Sequence, residues 1–163
     1  YEYMLACYER FYEDIGEYDA FVVPVANVES STPMKKFIED IEKFAAFINS
    51  KGFKKGDVFT VFLPTCAHAA VSFYAFNKLG IIVNFVHPLL PPDNLKEILD
   101  FTKSKGIMVL DMFVAKYAET IGNQNIPCTI VVPSCYALPD KYSAKANEEA
   151  MAVVAAKIKN CIT

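Results

Sequence analysis

Cys66 and His68 stand two residues apart at the start of an apolar run, and His87 follows just before Pro88. Thiolate and imidazole are the donors of zinc sites and the nucleophile–base pair of cysteine enzymes. A zinc site takes a second close-spaced couple, and a nucleophilic pair takes a third group to orient its base. The sequence supplies neither, so these residues are read as structural. Ser30-Ser31-Thr32-Pro33-Met34-Lys35 has the hydroxyls and lysine of a phosphate loop but no glycine to let backbone wrap a phosphate. It reads as a helix cap. Gly52 to Gly56 is too short for a Walker loop, and Asp57-Val58 stands where Lys-Ser/Thr would be needed. No G-x-G-x-x-G dinucleotide fingerprint occurs. Asp57, Asp93 and Asp111 each fall where a strand or helix begins, and capping accounts for them. The expectation is that no residue here is catalytic, cofactor-binding or metal-binding.

The elements that would position a site alternate regularly. Tyr1 to Phe11 reads as a helix ending near Gly16, and Ala20 to Val28 as an extended run whose Pro24 suits an edge strand or hairpin. Thr32-Pro33 is expected to cap and start a long helix, with Pro33 in its first turn. Met34, Phe37, Ile38, Ile41, Phe44, Ala45 and Ile48 recur at helical spacing, with Lys35, Glu39, Asp40 and Glu42 on the other face. Gly52 would end this helix in a left-handed conformation. Val58 to Leu63 is apolar almost throughout, as a strand covered on both faces should be. Ala67 to Leu79 is an apolar helix read as lying between layers. A strand over Ile81–Val86 follows, then a helix from Pro91-Pro92-Asp93 that turns Leu95, Ile98, Leu99 and Thr102 inward. A strand over Ile107–Leu110, a short helix over Asp111–Ala118 and a strand over Thr129–Val132 come next. Ser143 to Asn160 reads as a last helix. Strands alternating with helices through short connections predict right-handed βαβ units, hence an α/β fold of three layers with a mainly parallel sheet flanked by helices.

Composition bounds the rest. With 53% hydrophobic residues in 163, the chain can bury a single ordinary core, taking about 70% of its surface out of water. A net charge of −3 with scattered signs argues against a nucleic-acid surface. No apolar run nears the roughly 18 residues of a membrane-spanning helix. The odd set Cys7, Cys66, Cys128, Cys135 and Cys161 is a poor disulfide framework, which points to reduced thiols and a cytoplasmic setting.

Gly52-Phe53-Lys54-Lys55-Gly56-Asp57-Val58, Leu63-Pro64-Thr65, Lys78-Leu79-Gly80-Ile81-Ile82-Val83 and His87-Pro88-Leu89-Leu90-Pro91-Pro92 occur in that order. In order and spacing they resemble the opening of the adenylate-forming (AMP-binding) superfamily, of the acyl-CoA synthetase kind. The resemblance covers about residues 20–132. Thr65 stands where the family has Asn, Leu79 where Ala is typical, and His87 where Asn or Asp precedes the proline. The resemblance implies an N-terminal structural portion of an ATP-dependent acyl-CoA synthetase, which turns a carboxylic acid into an acyl-adenylate and then a CoA thioester in fatty acid metabolism. ATP, Mg²⁺ and coenzyme A would serve the full-length ligase. The family's phosphate loop, ribose aspartate and catalytic lysine are absent, so the chain is expected to hold no cofactor and to be inactive alone. It begins at Tyr1 rather than Met, and its last residues, Cys161-Ile162-Thr163, are read as the expected start of a further element. We therefore expect a single subdomain, 1–163, whose partners are the ATP-binding and C-terminal domains of its own polypeptide. Two alternatives stay open: a free-standing, non-enzymatic α/β interaction module, and a flavodoxin-like small-ligand protein with its site at the carboxyl ends of the strands.

Overall fold

In the computed structural model, residues 1–15, 19–25, 28–133 and 161–162 are described. Helix α1 (Glu2–Ile15) leads into an antiparallel hairpin of β1 (Asp19–Val25) and β2 (Val28–Pro33), in which Pro24 lies opposite Glu29. Then come α2 (Met34–Ser50), β3 (Val58–Phe62), α3 (Ala67–Leu79), β4 (Ile82–Phe85), α4 (Pro92–Thr102), β5 (Gly106–Leu110), α5 (Asp111–Asn123), β6 (Cys128–Val132) and β7 (Cys161–Ile162). The expected helix over Ser143–Asn160 lies outside the described residues.

β3 to β7 form one parallel sheet in the order β4-β3-β5-β6-β7. Counted among the parallel strands alone this is 2-1-3-4-5, a doubly wound order. One face carries Phe59, Val61, Met108 and Ile130 under Ala69 and Phe76 of α3 and Ile48 of α2. The other carries Phe62, Ile107, Val109 and Val131 against Leu95 and Leu99 of α4 and Val114, Tyr117 and Ile121 of α5. The α2/α3 layer, the sheet and the α4/α5 layer make the expected three-layer α/β fold. β3 lies inside the sheet between β4 and β5 and is buried on both faces, as its nearly unbroken apolar run requires. β4 is the edge, with Ile82 and Phe85 about half exposed.

Helix α2 buries Phe37, Ile41, Ala45 and Ile48, leaving Met34, Ile38 and Phe44 half-buried. Two details of α2 and its start differ from expectation. Thr32 does not cap α2: it pairs with Phe21 in the hairpin, β2 runs on through Pro33, and Pro33 takes the N-cap position without a side-chain bond. Glu42 is not fully exposed either, because Lys78 and the Tyr1 hydroxyl both donate to its carboxylate. Gly52 has φ 82°, the left-handed residue expected past the helix end. Helix α3 buries Ala69, Ser72, Ala75 and Phe76 between the sheet and α2, but leaves Phe73 exposed. Helix α5 runs past the expected Ala118 to Asn123, because Ile121 continues the buried row of Val114 and Tyr117.

Candidate functional site

In a doubly wound sheet the crevice to inspect lies outside the carboxyl ends of the strands, where the order reverses. Here it falls between β3 and β5. The chain leaves β3 through Leu63-Pro64-Thr65-Cys66 and enters α3, with Cys66 extended at the N-cap (φ −152°, ψ 168°). It leaves β5 directly into α5. There the Met112 N–H donates to the Asp111 carboxylate at 2.6 Å, so the start of α5 carries its own negative charge. A triphosphate needs backbone donors from a glycine-rich turn and positive charge. These turns contain no glycine, lysine or arginine. The crevice does not fit ATP.

Beside it, a hollow of about 500 Å³ opens between Leu63-Pro64-Thr65 and Phe85-Val86-His87-Pro88. Its rim is fixed from below. The Tyr117 hydroxyl, wholly buried on α5, donates to the Leu90 carbonyl at 2.7 Å, and the His87 Nδ1 accepts the Leu89 N–H at 3.2 Å. A buried tyrosine needs such a partner, and here the partner is the proline-rich loop. Tyr117 thus explains how the His87-Pro88-Leu89-Leu90-Pro91-Pro92 segment holds its course; nothing in the sequence pointed to it.

At the amino ends of the strands the glycine-aspartate turn is a structural clasp. Asp57 accepts the Lys54 N–H at 2.9 Å and the Lys105 ammonium at 2.5 Å. The Gly56 N–H donates to the Gly80 carbonyl at 2.9 Å, with Gly80 left-handed at the end of α3 (φ 68°). Of the three aspartates read as caps, Asp57 closes a turn, Asp111 accepts the Met112 N–H in the first turn of α5, and Asp93 lies in the first turn of α4 without a side-chain cap bond.

Of the residues with metal-ligand or nucleophile chemistry, Cys66 and His68 stay together at the start of α3, whereas the two histidines line different hollows. His87 lines the hollow just described. His68 instead lines a separate cavity of about 330 Å³ between α2, the first turns of α3 and the floor of β5. Its walls include Phe37, Phe44, Phe47, Val71 and Met108, and its polar groups are Thr32, Asp40, Lys43 and His68. Burial pushes the His68 imidazole toward its neutral form, partly offset by the Asp40 carboxylate. Asp40, read from the sequence as solvated surface, is the polar group that sequence reasoning missed here. Cys128 is buried on the sheet, and burial pushes its thiol up. Among the described residues no group of three or more His, Cys, Asp or Glu is placed to hold a metal ion, and no helix is long and apolar enough to cross a membrane.

Comparison with known proteins gives a consistent picture. The family model described as AMP-binding enzyme matches residues 25–160. An acetyl-coenzyme A synthetase of Shewanella frigidimarina is 25% identical over 136 residues, 82% of this chain and 20% of the relative. The acetyl-coenzyme A synthetase of Marinobacter nauticus is 27% identical over 107 residues, 64% of this chain and 16% of the relative. Among solved structures, a benzoate CoA ligase from Burkholderia xenovorans superposes with a TM-score of 0.68 at 16% identity, over 78% of this chain and 25% of that one. A Brucella canis acyl-CoA synthetase superposes at 0.65 and 15% identity, over 90% and 27%. At such identities the superpositions speak for the fold. The chain spans at most about a fifth of these two curated relatives' length.

Proposed function

Starting from the fact that the chain belongs to the AMP-binding enzyme family of adenylate-forming ligases, we propose that it is the N-terminal scaffolding subdomain of an acid–thiol ligase. The complete enzyme would use ATP and Mg²⁺ to convert a small carboxylic acid into an acyl-adenylate and then pass the acyl group to coenzyme A. The observation that carries this reading is the match over residues 25–160, which takes in the parallel sheet from β3 to β6. The site geometry supports the division of labour. The strand-end turns offer neither glycines nor cations to a triphosphate, whereas the motif glycines and Asp57 are spent on joining helix ends to strands. The role of residues 1–163 is to present a rigid sheet behind the ATP-binding and C-terminal portions of the same polypeptide. A cytoplasmic setting suits the thiols of Cys7, Cys66 and Cys128, which form no disulfide.

The test is calorimetry with ATP and Mg²⁺, followed by pyrophosphate exchange with acetate, benzoate and longer fatty acids. The 163-residue chain should be blank in both, and the intact polypeptide should show acid-dependent exchange, with acetate the first acid to try. Exchange catalysed by the chain alone would overturn the scaffold reading. Blank assays on the intact polypeptide would overturn the ligase reading and favour a non-enzymatic module.

A further inference from the structure

β4 ends the sheet on one side, and among the described residues no strand lies beyond it. The Ile82 N–H donates to the Asp57 carbonyl at 2.8 Å, and the Val86 N–H to the Val61 carbonyl at 3.1 Å. Alternate residues of a strand bond the same neighbour, so the backbone N–H and C=O of Val83 and Phe85 point outward, away from β3. Folded proteins blunt such open edges with charged side chains, prolines or bulges. From Ile81 to Val86 there is no charged residue and no proline, and the register with β3 is regular. Apolar groups flank the edge on both faces. The exposed Phe73 of α3 lies 6.1 Å from the exposed Phe85 ring, and Ile82, on the opposite face of the strand, is 54% exposed.

We propose that β4 is an interior strand of the intact polypeptide: a strand from outside residues 1–163, apolar on both faces, pairs with Val83 and Phe85 and packs on Phe73 and Ile82. The inference rests on the reading of this chain as one portion of a longer ligase. The chain spans about a quarter of the two ligase structures on which it superposes, so most of such a polypeptide lies outside this sheet. A second copy fits the edge less well. The four residues of β4, at about 3.3 Å each, make an edge about 13 Å long. That is too short to bury the roughly 1,200 Å² that separate molecules need for stable association. A strand of the same polypeptide meets the edge at high effective concentration and needs no such area. Parallel sheets are covered on both faces, and so the incoming strand is apolar on both.

The test is hydrogen exchange of the intact polypeptide, resolved to single amides by mass spectrometry. The Val83 and Phe85 amides should be protected as strongly as those of Ile82 and Asn84, which face β3. Free exchange at Val83 and Phe85 beside protected Ile82 and Asn84 would overturn the proposal. Protection lost on dilution would assign the edge to a second copy and overturn it as well. Val83→Pro removes one outward N–H and no bond to β3, so it should lower the Tm of the intact polypeptide; an unchanged Tm is the result for an open edge, which tolerates proline, and would overturn the proposal. Should that variant not fold, the wild-type exchange pattern decides alone. Pyrophosphate exchange separates this inference from the ligase reading. An active polypeptide with an open edge keeps the ligase and loses the added strand, whereas a blank one with protected amides keeps the strand and loses the ligase.

Discussion

A methyl group on Gly106 would lie 2.2 Å from Cε2 of Phe59, its partner across the β3/β5 ladder. The Phe59 ring crosses the neighbouring strand where no side chain stands, and stacks on Phe76 at 4.5 Å and near Phe53 at 5.2 Å. One glycine thus lets an aromatic cluster tie the first strand of the parallel sheet to both its neighbour and the helix above.

Gly106→Ala should therefore destabilise the chain by about 1–3 kcal/mol through overpacking. In a Phe59→Leu background the same change should cost much less, since the clashing ring is gone. Urea denaturation of the four chains of this cycle gives the answer, and equal costs in both backgrounds would show that the ring yields freely.

Ile41 is wholly buried between α2 and α3. Ile41→Ala should cost about 2–5 kcal/mol, whereas Lys35→Ala on the exposed face should stay within about 0.5 kcal/mol. An unmoved denaturation midpoint for Ile41→Ala would mean that the helix face is wrongly assigned.

Thr60, fully buried on β3, shares a 2.6 Å hydrogen bond with Ser104, which in turn bonds Thr102 at 2.8 Å, and Asn84 donates to Thr60 at 3.1 Å. This chain of hydroxyls links β4, β3 and the end of α4. Thr60→Val keeps the shape but removes the central partner, and should cost about 1–3 kcal/mol. Hydrogen exchange of the β3 and β4 amides should rise with it; unchanged stability would show the network to be incidental.

The Lys105 ammonium and the Lys54 N–H hold the Asp57 carboxyl below the usual carboxylate range. A lowered folded pKa stabilises the fold above the unfolded value, about 3.9, and that contribution is lost as pH falls through the folded value. Wild type should therefore exceed Asp57→Asn in stability near neutral pH, with the gap closing in acid below about pH 4. A gap that stays constant down to the acid limit would show that hydrogen bonding shape, not charge, is what Asp57 contributes.

Much of this was legible in the linear pattern. The stripe of α2, the unbroken apolar run of β3, and the glycines and prolines that punctuate them are local signals with one physical reading each. They located every parallel strand from β3 to β6 to within one or two residues. What failed did so where tertiary contacts outvoted a local preference. Thr32 has the chemistry of a cap, but its backbone is committed to the hairpin with Phe21. Glu119 to Asn123 looks like a loop, yet burial of Ile121 draws it into α5.

The sequence by itself determined the α/β class, the family and the absence of a glycine-rich phosphate loop, because periodicity, turn chemistry and motif spacing are written in consecutive residues. Tertiary structure alone decided that Tyr117 anchors the proline-rich loop, that Gly106 makes room for Phe59, and that Asp40 and His68 share one cavity. Those pairs are separated by 27 to 47 positions. Strand order, register and helix packing must all be fixed before such side chains can meet, and no local preference encodes them.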